Sequence, residues 1–166
     1  RRLSELTPPP GRMERLGGNG EPLVIVDYAH TPDALDNALQ ALRDVARQRG
    51  GKLGVVFGCG GDRDRGKRPE MGSIAEQRAD RVLVTSDNPR GERPQSIIDD
   101  ILNGMSGGAA ELDRAVAIQR AIGEAEAEDV ILLAGKGHET YQEIAGSRVP
   151  FSDLEQADRA MQLRRQ

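Results

Sequence analysis

Val82-Leu83-Val84-Thr85-Ser86-Asp87-Asn88-Pro89-Arg90 joins a short, β-branched apolar run to a charged turn. Such a run, closed by polar residues and a proline, predicts a buried strand that ends in a working loop. Pro89 stiffens the turn, while Asp87, Asn88 and Arg90 supply an anion, an amide and a forked cation close together. A carboxylate fits an arginine fork in bidentate fashion and an ammonium fits an aspartate, so the turn is equipped to hold a small zwitterion. An Asx-type turn with a solvated arginine is the plainer alternative.

The same pattern of apolar run and polar loop recurs three times. Pro22-Leu23-Val24-Ile25-Val26 leads into Asp27-Tyr28-Ala29-His30, Leu53–Phe57 leads into a glycine-rich loop at 58–68, and Val130-Ile131-Leu132-Leu133-Ala134 leads into Gly135-Lys136-Gly137-His138-Glu139. Helical patterns separate these runs. Thr31 is a good N-cap, Pro32 suits the first helical position, and Asp33 complements the dipole. Leu35, Ala38, Leu39, Leu42, Val45 and Ala46 then form one apolar face, closed by Gly50-Gly51. Further helices are predicted from Pro69, from Pro94 to a stop at Gly107-Gly108, over 114–126 and over 153–165, with Ser152 as the last cap. Glu111-Leu112 reads as a short edge strand, and 141–144 with 148–151 as a hairpin around Gly146. This alternation predicts an α/β fold: a Rossmann-like, mostly parallel sheet with helices on both faces and an antiparallel edge hairpin. Ligands bind beyond the carboxyl ends of such strands, so the four loops should share one rim. Residues 1–20 hold Pro8-Pro9-Pro10-Gly11 and Gly17-Gly18-Asn19-Gly20 and read as a linker or irregular approach segment ahead of a folded domain at 21–166.

Composition removes several function classes. The 166 residues carry a net charge of −4, with no basic stripe for a phosphate backbone. Tyr28, Phe57, Tyr141 and Phe151 are the only aromatic residues, too few to stack single-stranded bases. Nucleic acid is therefore not an expected partner. Cys59 is the sole cysteine, so no internal disulfide or cysteine metal cluster is expected, and a reducing, cytoplasmic setting fits. No apolar run approaches the ~20 residues that span a bilayer, and no charged-then-apolar leader is present. The chain starts at Arg1-Arg2 rather than at methionine, as a piece of a longer protein would.

Each loop leaves more than one chemistry open. Gly61 to Lys67 fits G-x-x-x-x-G-K, but Arg68 stands where a P-loop needs Ser or Thr for magnesium, and Asp62 and Asp64 would face the phosphates. The loop's glycines admit a ligand to the backbone, and Arg63, Arg65 and Arg68 offer carboxylate or phosphate binding; a charged surface loop is the alternative. Asp27 is placed to hold a ribose hydroxyl or a metal-bound water, and His30 to donate to a phosphate or simply to cap its helix. Glu139 is suited to an ammonium, and Lys136 or His138 to anions, unless the turn is merely solvated. The two histidines lack a tight ligand spacing, so no metal site is expected.

Gly11-Arg12-Met13-Glu14, Asp-Tyr-Ala-His-Thr-Pro-Asp at 27–33, the 58–69 loop, Asp-Asn-Pro-Arg at 87–90 and Gly-Lys-Gly-His-Glu at 135–139 together resemble the Mur ligase family, in order and across nearly the whole chain. Only Leu154 and Glu155 depart from the usual pattern. The resemblance is to the third, C-terminal domain, which has a Rossmann-like fold and brings in the amino acid. It implies a missing central domain that carries the P-loop, ATP and Mg2+. It implies meso-diaminopimelate contacts at Arg63, Asp87, Asn88, Pro89, Arg90, Gly135 and Glu139, with Arg90 and Asn88 at the distal end. It implies that Arg12, Asp27 and His30 face ATP on domain closure. The implied reaction is ATP-dependent amide ligation onto UDP-MurNAc-L-Ala-D-Glu by a monomeric enzyme, with no catalytic residue in this fragment. A free-standing module for an anionic metabolite and an independent nucleotide hydrolase are the alternatives.

Overall fold

The computed structural model describes residues 13–166. Arg12 and the proline-rich segment at 8–11 lie outside the described residues. The chain runs β1 (Glu14–Gly17), β2 (Leu23–Asp27), α1 (Pro32–Arg49), β3 (Leu53–Phe57), α2 (Lys67–Arg78), β4 (Arg81–Val84), α3 (Pro94–Leu102), β5 (Ala109–Ala110), α4 (Arg114–Gly123), β6 (Val130–Ala134), β7 (Tyr141–Ile144), β8 (Ser147–Pro150) and α5 (Asp153–Arg164). The main sheet has the order β1-β2-β6-β3-β4-β5. All neighbours are parallel except β1, which runs antiparallel to β2.

Side-chain alternation along the strands builds two cores. Leu23, Ile25, Leu53, Val55, Val130 and Leu132 pack under α1, α2 and α3. Val24, Val26, Val56, Ile131 and Leu133 pack under α4 and α5. Both faces of β2 and β6 are thus covered, which is why these strands are apolar throughout. Helix α1 ends as its sequence predicts: the Thr31 side chain accepts from Ala34 N, and Gly50 takes a left-handed φ of 75°. Among the described residues no helix is long and apolar enough to cross a membrane.

The structure departs from the sequence reading at several places. Glu14–Gly17 is an edge strand rather than an irregular approach, because its backbone pairs with β2 from Glu14 opposite Val26 to Gly17 opposite Leu23. Helix α3 stops at Leu102, well before Gly107-Gly108, and the edge strand falls at Ala109–Ala110 rather than at Glu111-Leu112. Helix α2 starts at Lys67, ahead of Pro69, and α4 ends at Gly123. The β7–β8 hairpin forms, but as a separate two-stranded sheet instead of an edge of the main one.

Two buried arginines fix the carboxyl end of the sheet. Arg114, at the start of α4, forks onto Asp153 at the start of α5, with Nε and Nη2 2.8 and 2.7 Å from the two carboxylate oxygens. Its remaining N–H groups reach the carbonyls of Ser86 and Ala134, the exits of β4 and β6. Burial opposes the guanidinium charge, but the Asp153 carboxylate outweighs it and keeps the group firmly protonated. Arg68 is likewise buried. It donates to both Glu92 oxygens at 3.1 and 2.6 Å, to Asp100 at 3.0 Å and to the Gly60 carbonyl at 3.1 Å, tying the 58–68 loop to the turn after Arg90. Arg68 is therefore not free to bind a ligand.

Two outcomes follow from these anchors. Arg114→Ala, which leaves Asp153 buried and unpaired, should lower unfolding free energy by about 3–5 kcal/mol, and Arg114→Met with Asp153→Leu should recover most of it; urea midpoints of the single and double variants check both. Glu92 is held down to about 2, first by its Arg68 hydrogen bond and then by the Asp62 N–H. Its folded value lies below the ordinary 4.5, so its stabilisation is complete above about pH 4.5 and is lost as pH falls towards about 2. Urea midpoints across that window should fall less steeply in Glu92→Gln than in the wild type.

Candidate functional site

The strand exits open on a cleft of about 370 Å3, lined in part by His30, Gly60, Arg63, Asp87, Asn88, Arg90, Gly135 and Glu139. Segments as distant in sequence as 30 and 139 thus share one rim. Parallel strands β2, β6, β3 and β4 all end there, so their exit loops have no other edge to occupy.

The cationic side is built around Gly60. A Cβ placed on Gly60 would lie 2.6 Å from Arg90 Nη1, so the missing side chain leaves room for that guanidinium, while Arg63 Cγ would be in ordinary contact at 3.7 Å. Gly61 N donates to the Asn88 carbonyl at 2.7 Å, and a methyl on Gly61 would collide with the Pro89 carbonyl. Arg90 Nη1 donates to the Gly61 carbonyl at 3.0 Å, and its Nε lies 3.4 Å from Glu143. Arg90 has a left-handed φ of 53°, unfavourable for a residue with a Cβ. The β7–β8 hairpin holds it there: Arg90 N donates to the Glu143 carbonyl and Ala145 N to the Arg90 carbonyl. Arg63 is exposed and donates only locally, to the Asp62 carbonyl at 3.0 Å.

The acidic side is built around Lys136. This side chain is fully buried, with Nζ 3.0 Å from Asn88 Oδ1, 3.1 Å from Glu139 Oε1 and 3.6 Å from Asp87 Oδ1. Lys136 faces inward and does not line the cleft, contrary to the anion-binding role read from its sequence. Asn88 Oδ1 also accepts Glu143 N, and its Nδ2 donates to Glu139 Oε1 at 3.3 Å. Burial pushes the Asp87 carboxyl up, against the pull of Arg114 and Lys136. Gly135 has a φ of 114°, and a Cβ there would come within 2.7 Å of Asp87 Oδ2.

Not every predicted residue enters the cleft. Pro89 is buried behind it, backing Gly61. Asp27 lines an adjoining hollow with Tyr28, His30 and Met13. Its carboxylate accepts Met13 N at 2.8 Å and Ala29 N at 2.9 Å, so it clamps the start of β1 against the β2 exit. His30 Nδ1 donates to the Tyr28 carbonyl at 2.9 Å, which leaves Nε2 on the exposed side. Arg12 lies outside the described residues. Among the described residues, no group of three or more His, Cys, Asp or Glu side chains is placed to hold a metal. Cys59 is buried and its thiol pushed up to about 12 by desolvation, an inert packing residue.

Arg114 and Asp153 went unnoticed in the sequence, although a signal exists. A basic first residue opposes a helix dipole, so Arg114 directly after the N-cap Asp113 is a local mismatch that an acidic partner would offset.

A family model described as Mur ligase, glutamate ligase domain, matches residues 11–137. The chain is 63% identical over 161 residues to the UDP-N-acetylmuramoyl-L-alanyl-D-glutamate–2,6-diaminopimelate ligase of Acidovorax sp. (strain JS42), covering 95% of this chain and 32% of that protein. It is 57% identical over 166 residues to the ligase of the same name from Pseudomonas aeruginosa, covering 97% and 33%. A solved structure of such a ligase matches with a TM-score of 0.86 at 44% identity, over 99% of this chain and 34% of that one. A bifunctional folylpolyglutamate synthase/dihydrofolate synthase with Mn, AMPPNP and L-glutamate bound matches at a TM-score of 0.61 and 25% identity, over 77% of this chain and 29% of that one. The chain thus spans about a third of the length of the curated relatives it matches. With the family model covering β1 through the Gly137 turn, and therefore every strand that forms the rim, the chain belongs to the family of Mur ligase glutamate ligase domains.

Proposed function

We propose that this chain is the amino-acid-receiving domain of an ATP-dependent ligase that adds meso-diaminopimelate to UDP-MurNAc-L-Ala-D-Glu in peptidoglycan precursor synthesis. One observation carries the reading: a single cleft sets Arg63 and Arg90 on one wall and Asp87 and Glu139 on the other. That charge pattern suits an amino-acid end group, with carboxylate on guanidinium and ammonium on carboxylate. The identity to diaminopimelate ligases supports the choice of amino acid.

In this reading Arg90, held by the hairpin, grips the distal carboxylate that lysine lacks. Glu139 and Asp87 take the neighbouring ammonium, while the far amine is left to attack the activated D-glutamate γ-carboxylate. The domain's contribution is positioning, since fixing two reactants in line removes much of the entropic barrier. ATP and Mg2+ are held mainly by a central domain of the full-length ligase. The family resemblance makes Arg12, Asp27 and His30 the residues that face the nucleotide when the domains close, and Asp27 also holds the Met13 and Ala29 backbone. The enzyme acts in the cytoplasm as a monomer, and the 13–166 fold alone turns over no ATP.

In the full-length ligase, Arg90→Ala should raise KM for meso-diaminopimelate roughly 10- to 100-fold, as expected for losing a charge-assisted contact, with KM for ATP nearly unchanged. Comparable losses for both substrates, or a wild-type enzyme that uses L-lysine as readily, would contradict the assignment. Separately, this chain incubated with MgATP should release no phosphate above background; turnover would favour an independent hydrolase.

A further inference from the structure

Lys136 sits in the polar turn that follows β6, and its side chain is fully buried. A turn needs no buried ammonium, and desolvating one is costly unless every N–H finds an acceptor. Here two N–H groups donate, to Asn88 Oδ1 at 3.0 Å and Glu139 Oε1 at 3.1 Å, and the Asp87 carboxylate balances the charge from 3.6 Å. All three partners line the cleft and Lys136 does not. The ammonium is thus aimed at the back of the binding groups.

This placement decides which atoms reach the cleft. Lys136 and Glu143 N both donate to one Asn88 atom, so that atom must be the amide oxygen, and Nδ2 turns to Glu139. Lys136 and Asn88 both donate to Glu139 Oε1. Among the described residues Oε2 has no such donor and is the oxygen left for a cation. The charges of Asp87, Glu139 and Lys136 sum to one negative unit, the match for a single ammonium. Without Lys136, two carboxylates would confront each other in a partly desolvated site, a pairing that drives one to take up a proton.

We propose that Lys136 is a positioning residue for the amino-acid substrate, locking Glu139 and Asn88 from behind and leaving the acidic wall one net negative charge. The inference rests on the amino-acid reading of the cleft, and the test separates the two. In the full-length ligase, wild-type preference for meso-diaminopimelate over L-lysine tests that reading, whereas the ratio of variant to wild type on the preferred amino acid tests Lys136. Lys136→Met should raise KM for that amino acid roughly tenfold or more and leave KM for ATP within about twofold. In a Glu139→Gln background the same change should cost less than about threefold, because the group it acts through is already impaired. An unchanged amino-acid KM, parallel rises in both KM values, or effects that multiply in the double variant would overturn the proposal. If Lys136→Met does not fold, Lys136→Gln, which keeps an N–H donor, is measured in the same way. Should neither fold, Lys136 is a structural residue and the proposal fails.

Discussion

The fork of Arg114 on Asp153 is the contact on which the rim depends. It joins the starts of two helices that cover one face of the sheet, and it draws the exits of β4 and β6 to the same guanidinium. A buried ion pair adds little net stability over a packed apolar pair, because both charges must be desolvated. What it supplies here is direction. The Ser86 and Ala134 carbonyls mark the points where the Asp87–Arg90 and Gly135–Glu139 loops leave the sheet, so a single side chain sets the separation of those two loops.

A second tier of contacts turns those exits into a site. Arg68 pulls the 58–68 loop against Glu92 and Asp100, and the β7–β8 hairpin clamps Arg90 in a conformation its Cβ disfavours. Such strain persists only where neighbouring backbone over-determines it, and it commonly marks binding residues. The cations thus divide by task. Arg68, Arg114 and Lys136 are interior and shape the loops, while Arg63 and Arg90 remain at the cleft. Conserving charge type alone would not tell these two groups apart, since all five lie in polar, glycine-rich or cap-like surroundings along the chain.

Much of the layout was legible because it obeys short-range rules. Helix α1 declares its cap, its apolar face and its stop within 20 residues or so, and the four strands of the parallel core are apolar runs with abrupt polar ends. The misplacements have long-range causes. Strand β1 is short and half exposed, so nothing in Glu14–Gly17 announces it until β2 offers its backbone edge. The hairpin was expected at a sheet edge, yet its partners are the Asn88 side chain and the Arg90 backbone, reached only once β4 has ended beside it.

The chain's own residues determined the alternation of strand and helix, the common rim for four loops and the membership of Asp87, Asn88, Arg90, Gly135 and Glu139 in one cleft, because apolar periodicity and parallel crossover geometry leave few other arrangements. Only the tertiary structure decided which charges face a ligand and which are consumed inside. That division depends on distances between side chains about 30 to 50 positions apart, as for Arg68 with Asp100, Arg114 with Asp153 and Lys136 with Asn88. No local pattern encodes those distances; packing of the two helical layers on the sheet sets them.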